Sequence, residues 1–136
     1  MGASAARAET KSGVIVGWGS QVVGADLSRG FVSVAGGGIH SLGLRADGSI
    51  AAWGDNGQRQ CDVPAPNVGF VAIAAGADHS LGLKADGSIV PWGSNSYDKS
   101  IVPPPNTGFI AVAAGAGFSV GLRDDGSIVA WGHARQ

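Results

Sequence analysis

A 39-residue period constrains the fold of this sequence more than any other feature. The segment at residues 31–53, FVSVAGGGIHSLGLRADGSIAAW, returns in close variants at residues 70–92 and 109–131. The copies are in phase, because 70 − 31 and 109 − 70 are both 39. A fixed period of this size indicates a repeat architecture, in which each unit buries its apolar face against its neighbours.

Each copy contains three short segments with the alternating pattern of a β-strand. In the second copy, bulky and small side chains alternate over residues 71–74, leucine alternates with serine and glycine over 80–83, and the third segment ends at Trp92. Asp86-Gly87 separates the second and third segments, and this dipeptide favours a two-residue hairpin turn with positive φ at both central residues. The 24 glycines recur at such fixed places, which is typical of turns rather than of a flexible linker.

The connectors between copies add a further predicted strand to each unit. Residues 61–63 and 100–102 precede prolines and are candidate fourth strands at an edge. Pro91 lies inside the third strand and predicts a bulge or a frayed pair there, because proline removes a ladder donor. About four strands per repeat without helical periodicity predict an all-β fold, a β-propeller with four antiparallel strands per blade. A β-solenoid is the alternative, and it would need shorter repeats without Asp-Gly hairpins.

The sequence contains about three blades and a leading fragment. Residues 14–18, VIVGW, resemble the last strand of a repeat, so the pattern begins in mid-unit. We expect two or more chains to complete one ring as a homo-oligomer, with this strand completing a blade of the next chain. A fragment or engineered module of a longer propeller is the alternative. The predicted divisions are a disordered tail at 1–13, a partial blade at 14–30, blades at 31–69 and 70–108, and an incomplete blade at 109–136.

Charge and composition argue against several functional classes. The formal net charge is −1 and the charges are scattered, so the basic stripe of a nucleic-acid-binding protein is missing. No run of about 18 apolar residues exists, so we expect no spanning helix and no membrane partner. Cys61 is the single cysteine, which excludes an intramolecular disulfide and a cysteine-cluster metal site.

The motifs that resemble catalytic groups are better explained as scaffold. His40-Ser41 and His79-Ser80 are neighbours on a strand, so their side chains face opposite sides and cannot form the pair of a Ser–His mechanism. We interpret them as a repeated hydrogen-bonding pair at a strand start, and Phe118 replaces the histidine in the third copy. Two histidines need further ligands to hold a metal ion. We therefore expect no catalytic residue, no cofactor and no metal, and the recurring tryptophans are predicted to pack in the core.

The repeats resemble the bacterial branch of the RCC1-like repeat family. The motifs AAGADHSLGLKADGSIVPWG at 74–93 and GQRQCDVPAPNVGF at 57–70 carry the resemblance, which covers roughly residues 14–132. The sequence is also similar to the β-lactamase-inhibitory propeller of that family. The resemblance implies a β-propeller used as a protein-binding surface, with partner contact on the face of the turns between first and second strands.

Alternating strand directions place those turns and the connectors after the third strands on one face of the propeller. We predict a non-enzymatic scaffold that binds a protein partner there; the alternative is a carbohydrate-binding propeller that stacks sugars on Trp or Tyr. No group of residues supports a hydrolase. Tyr97 and Arg59 are residue types enriched at binding hot spots. The candidate partner-binding residues are Asp78, Ile39, Asn56, Gln58, Arg59, Asn95, Tyr97, Asp98 and Lys99.

Overall fold

The computed structural model describes residues 30–98 and 100–133, and this part of the chain is built from β-strands and loops. The predicted tail at 1–13, nearly all of the predicted partial blade at 14–30 and the strand at 14–18 lie outside the described residues. A short 3₁₀ turn covers Ser96–Asp98. The strands are β1 (Phe31–Gly36), β2 (His40–Arg45), β3 (Ile50–Gly54), β4 (Phe70–Ala75), β5 (His79–Lys84), β6 (Ile89–Gly93), β7 (Phe109–Ala114), β8 (Phe118–Arg123) and β9 (Ile128–Gly132).

The strands form three antiparallel sheets in the orders β1-β2-β3, β4-β5-β6 and β7-β8-β9, one sheet per repeat. We call them the first, second and third blades of an open, partial propeller. The prediction of a fourth strand is wrong for the described residues. The amide of Cys61 donates to the side-chain oxygen of Asn56 (2.8 Å), and that of Ser100 donates to Asn95 (2.9 Å). These side chains take up backbone donors that a strand ladder would need.

The bulge predicted at Pro91 is also absent. Pro91 pairs with Leu81 in an unbroken register between β5 and β6. β6 is the edge strand of its sheet, so the missing donor of proline costs no ladder bond on the outer side. The register shift lies instead in β4, between Phe70 and Ala72, and it recurs at the same place in the other two blades.

The Asp-Gly hairpins form where they were predicted, but with a different turn. The amide of Arg45 donates to Ser49 O (2.8 Å), so the loop between them has three residues rather than two. Gly48 has φ +87° while Asp47 stays at negative φ, as in a type I turn followed by a left-handed residue. The Asp47 carboxylate accepts the amide (2.9 Å) and the hydroxyl (2.6 Å) of Ser49. The aspartate therefore contributes side-chain hydrogen bonds and not a positive φ.

The hydrophobic core lies between blades rather than within them. One cluster joins buried residues of β2 and β3 to the second blade, and the next joins β5 and β6 to the third blade. Trp53, Trp92 and Trp131 are buried, as predicted. The first cluster contains Leu42, Leu44, Ile50, Phe70 and Trp92. The second contains Ala74, Leu81, Leu83, Ile89, Phe109 and Trp131.

Candidate functional site

The turns between first and second strands lie beside the connectors that leave the third strands. The amide of Asp55 donates to Ile39 O (2.9 Å), and the amide of Ser94 donates to Asp78 O (2.9 Å). The hairpins lie at the other end, where Phe70 N–H donates to Gly48 O (2.9 Å). The turns and connectors therefore lie at one end of the blades, and the Asp-Gly hairpins lie at the opposite end. We call the surface formed by turns 37–39, 76–78 and 115–117 and connectors 55–62 and 94–98 the loop face.

Neighbouring turns on the loop face are in direct backbone contact. The amide of Gly38 donates to Gly76 O (3.1 Å) across the boundary between the first two blades. A Cβ atom on Gly37 would lie 2.5 Å from the same oxygen, so only glycine fits this approach. Ile39 is exposed beside this contact, and Asp78 is half-buried on the next turn. The turns thus hold these two candidate residues on one continuous surface.

The first connector is held in shape by its own side chains. The Asp55 carboxylate accepts hydrogen bonds from the amide of Gly57 (3.0 Å) and the amide group of Gln60 (3.1 Å). Asn56 accepts the amide of Cys61 and donates to Asp62 (2.9 Å). Both ends of the Asn56 side chain are therefore engaged within the loop. Of the predicted candidates, Asn56 has a structural role that the sequence did not reveal.

Arg59 occupies the tip of this connector. Its φ is +65°, and its side chain is 82 % exposed with a single long contact, 3.2 Å, to the Asp62 carboxylate. Exposed ion pairs of this kind contribute between zero and about 1 kcal/mol to stability, so the fold does not depend on the Arg59 guanidinium. The neighbouring Gln58 is exposed as well, although its amide donates to the Gln60 side chain (2.8 Å).

The second connector repeats the same backbone with different side chains. Asp98 stands 39 residues after Arg59 and also has a positive φ, +59°. It is exposed, as is Asn95, whose side-chain oxygen accepts the amide of Ser100. The backbone of Tyr97 lies in the short 3₁₀ turn, and Lys99 lies outside the described residues. Equivalent left-handed loop positions in two blades therefore present charges of opposite sign.

The histidines and serines that the sequence singled out form a contact between blades. His40 Nε2 lies 2.9 Å from Ser80 Oγ, and His79 Nε2 lies 3.0 Å from Ser119 Oγ. All four side chains are buried. We call these two pairs the inter-blade latch. The predicted hydrogen-bonding role is correct, but each partner is 40 residues away on the next blade, a spacing of one repeat plus one residue that is visible in the sequence.

The latch continues into the first connector through a residue that sequence analysis missed. The Ser80 hydroxyl donates to the backbone oxygen of Gln60 (2.9 Å), so it accepts from His40, whose Nε2 carries the ring proton. Trp92 Nε1 donates to the same oxygen (2.8 Å), and Gln60 is fully buried. A buried glutamine in a polar connector gives no local sequence signal. Its position fixes the connector that carries Arg59.

Burial lowers the pKa of His40 below its ordinary value. The backbone of His79 and the carboxylates of Asp55 and Asp78 oppose this shift, but desolvation is the larger effect. A buried neutral imidazole whose proton is donated to a serine cannot act as the base that activates that serine. Among the described residues, no cluster of three or more His, Cys, Asp or Glu side chains is arranged to hold a metal ion. Within the same ranges, no helix is long and apolar enough to cross a membrane.

Comparison with known protein families explains the repeated pattern. The Regulator of chromosome condensation (RCC1) repeat matches residues 31–60, 70–98 and 109–135. The chain belongs to the RCC1 repeat family. Each match covers one three-stranded blade and the beginning of the connector that follows it, so the loop face is formed by the RCC1 repeats themselves. No curated protein matches the sequence.

Several solved structures share the RCC1-type fold. The ectodomain of the receptor kinase CR4 from Physcomitrella patens has a TM-score of 0.72 and 26 % identity over 85 % of this chain and 33 % of its own. The ACR4 ectodomain from Arabidopsis thaliana has a TM-score of 0.65 and 26 % identity over 78 % of this chain and 39 % of its own. Prp20p from Saccharomyces cerevisiae has a TM-score of 0.71 and 24 % identity over 82 % and 33 %. The chain thus spans between 33 % and 39 % of these structures.

Proposed function

We propose that this RCC1-type propeller binds a protein partner through the loop face. The observation that carries the proposal is the pair of equivalent connector tips, where an exposed Arg59 and an exposed Asp98 stand on loops with fixed backbones. Loops that are already ordered lose little conformational entropy on binding, which favours affinity. Ile39 adds an exposed apolar side chain on the same face.

The opposite charges at the two tips define the partner that this face suits. Arg59 matches a carboxylate on the partner, and Asp98 matches a basic group one blade further along. Charge complementarity of this kind contributes mainly specificity and association rate. Among the other candidates, Gln58 and Asn95 supply polar groups at the rim. Asn56 is engaged within its own loop, and Asp78, Tyr97 and Lys99 stay predictions from the sequence.

Two solved structures of one relative, yeast Prp20, support a protein-binding role by analogy. Prp20p from Saccharomyces cerevisiae has binding properties to Gsp1p and histones, and a second structure shows the same yeast protein bound to Kap60. The aligned parts of the two structures are 24 % and 22 % identical to this chain, so their likeness shows the shared fold alone. The similarity to a β-lactamase-inhibitory propeller and the homo-oligomer stay predictions.

The carbohydrate-binding alternative is less well supported. It depended on Trp or Tyr rings that stack on sugars. The tryptophans of the three described blades are buried, and a role for Tyr97 stays a prediction from the sequence. Saturable binding on a glycan array that persists in Arg59→Ala would favour this alternative.

The test is affinity capture with matched charge variants. The immobilised chain, Arg59→Ala and Asp98→Ala are compared for the proteins that they retain, with Asp124→Ala as the control because Asp124 is exposed at a hairpin on the opposite face. We expect the same retained protein to be lost severalfold with each loop-face variant and kept with the control. Equal retention by all four proteins, or a loss with Asp124→Ala alone, would refute the proposal.

A further inference from the structure

The third blade exposes a side face whose equivalents in the other two blades are buried. Ile50 and Ile89 are each 2 % exposed, whereas Ile128 at the same repeat position is 68 % exposed. Phe118 is 37 % exposed, whereas His40 at the equivalent position is buried. We call this surface the open face. It contains Phe118, Val120, Leu122 and Ile128.

In the first and second blades the equivalent surface is covered by the connector that leads to the next blade, and its contacts show which groups fit the surface. The side-chain oxygen of Asn67 accepts the amide of Ile50 (2.7 Å), and its amide group donates to Ile50 O (2.8 Å). Asn106 makes the same two bonds to Ile89, both at 2.8 Å. An asparagine side chain thus pairs with each third strand as a neighbouring strand would. Within residues 30–98 and 100–133, no side chain makes these bonds to Ile128.

The asparagine belongs to a longer shared segment. Residues 63–70 read VPAPNVGF and residues 102–109 read VPPPNTGF. Three residues after each asparagine, a phenylalanine packs in the same cluster as the isoleucine that the asparagine holds. The first valine of each segment, Val63 or Val102, packs against that cluster too. The pattern therefore combines two backbone bonds with apolar anchors on either side.

We propose that the open face binds a partner polypeptide that carries the pattern Val-Pro-x-Pro-Asn-x-Gly-Phe, as found in another RCC1-type repeat. The pattern supplies the asparagine for the Ile128 backbone and the phenylalanine for the Ile128 side chain. This surface lies at the side of the third blade and is separate from the loop face. Its occupation does not depend on the proposed function.

The leading blade of a second copy fits this face poorly. Ser28 stands three residues before Phe31, where the pattern has asparagine, and the prolines are missing from that connector. A second copy would also bring Ser41 to the position that Ser80 and Ser119 occupy in the inter-blade latch. There it would meet Phe118, whose ring has no N–H to donate to the serine. The Ser41 hydroxyl would therefore lack the donor that the internal interfaces provide to Ser80 and Ser119.

The binding test uses a synthetic peptide, IVPPPNTGFIAVAA, which repeats residues 101–114 of the chain. We expect saturable changes in the backbone amide resonances of Ile128 and Leu122 in the isotope-labelled full chain. The same peptide with alanine in place of asparagine binds about tenfold more weakly, because two hydrogen bonds are lost. Unchanged resonances, or equal binding by both peptides, would overturn the proposal.

A pair of exposed isoleucines provides the matched variants. Ile128→Ser removes the apolar anchor and is expected to weaken peptide binding severalfold. Ile110→Ser is expected to leave it unchanged, because Ile110 is 57 % exposed on β7, outside the open face. Light scattering of the chain alone completes the test. If the chain is a dimer and Ile128→Ser converts it to a monomer, the open face binds a second copy, and the proposal of a partner with this pattern is refuted.

Discussion

Ser80→Ala tests whether the inter-blade latch stabilises the propeller. The Ser80 side chain is fully buried, accepts from His40 Nε2 (2.9 Å) and donates to Gln60 O (2.9 Å). Its removal leaves the buried ring N–H of His40 without a partner, which costs about 1–3 kcal/mol. The Gln60 oxygen keeps its bond from Trp92 Nε1, so it adds little to the cost. We expect the free energy of unfolding to fall by about 1–3 kcal/mol.

Urea denaturation followed by circular dichroism measures this change as a lower midpoint at an unchanged slope. Ser41→Ala is the matched control, because Ser41 holds the same position in the first blade, is half-buried, and has no histidine partner among the described residues. We expect that variant to stay within about 0.5 kcal/mol of the wild type. Ser119→Ala should reproduce the loss, because it breaks the bond to His79.

Two results would refute this reasoning. An equal loss for Ser41→Ala and Ser80→Ala would show that the serine matters within its own strand rather than across blades. Additive losses for His40→Gln and Ser80→Ala in a double-mutant cycle would show that the two side chains are not energetically coupled.

Three further outcomes are expected. Burial lowers the pKa of His40, so below the ordinary value of 6.5 the unfolded chain binds more protons than the folded one. The free energy of unfolding should therefore fall as the pH drops below that value. His40→Gln should make this fall smaller, as measured by urea titration at several pH values. Gly82→Ala should lower the melting temperature and reduce the free energy of unfolding by about 1–3 kcal/mol, because the new Cβ would lie 2.5 Å from the Phe70 ring. An unchanged melting temperature would contradict this packing. Arg59→Ala should alter the free energy of unfolding by less than about 1 kcal/mol, because its pair with Asp62 is exposed; a larger loss by the same titration would make Arg59 a structural residue.

The features that the sequence predicted correctly are those set by the period or by local chemistry. The spacing of the copies predicted one blade per repeat, and Asp47-Gly48 predicted a hairpin, since glycine tolerates the positive φ that the turn needs. The fourth strand failed because Asn56 captures the amide of Cys61 through a side-chain bond. The bulge at Pro91 failed because alternation alone does not reveal which strand lies at an edge.

The candidate site was predictable as a surface but not as a set of interactions. Strand direction was sufficient to place Ile39 and Asp78 beside the connectors. The structural role of Asn56 and the burial of Gln60 depend on a folded loop and on the neighbouring blade, and neither is encoded in a local pattern. The latch pairs His40 with a serine one repeat plus one residue further along; the sequence contains this spacing, but only the stacking of the blades shows that the two side chains meet.

The two halves of the inter-blade latch are adjacent in sequence. Each repeat that carries His40-Ser41 or His79-Ser80 holds a donor for the blade after it and an acceptor for the blade before it. Tandem duplication of one such 39-residue unit therefore creates a new boundary with matched partners on both sides, without any compensating substitution. Phe118 interrupts this series, because its ring offers no hydrogen-bond donor to a serine.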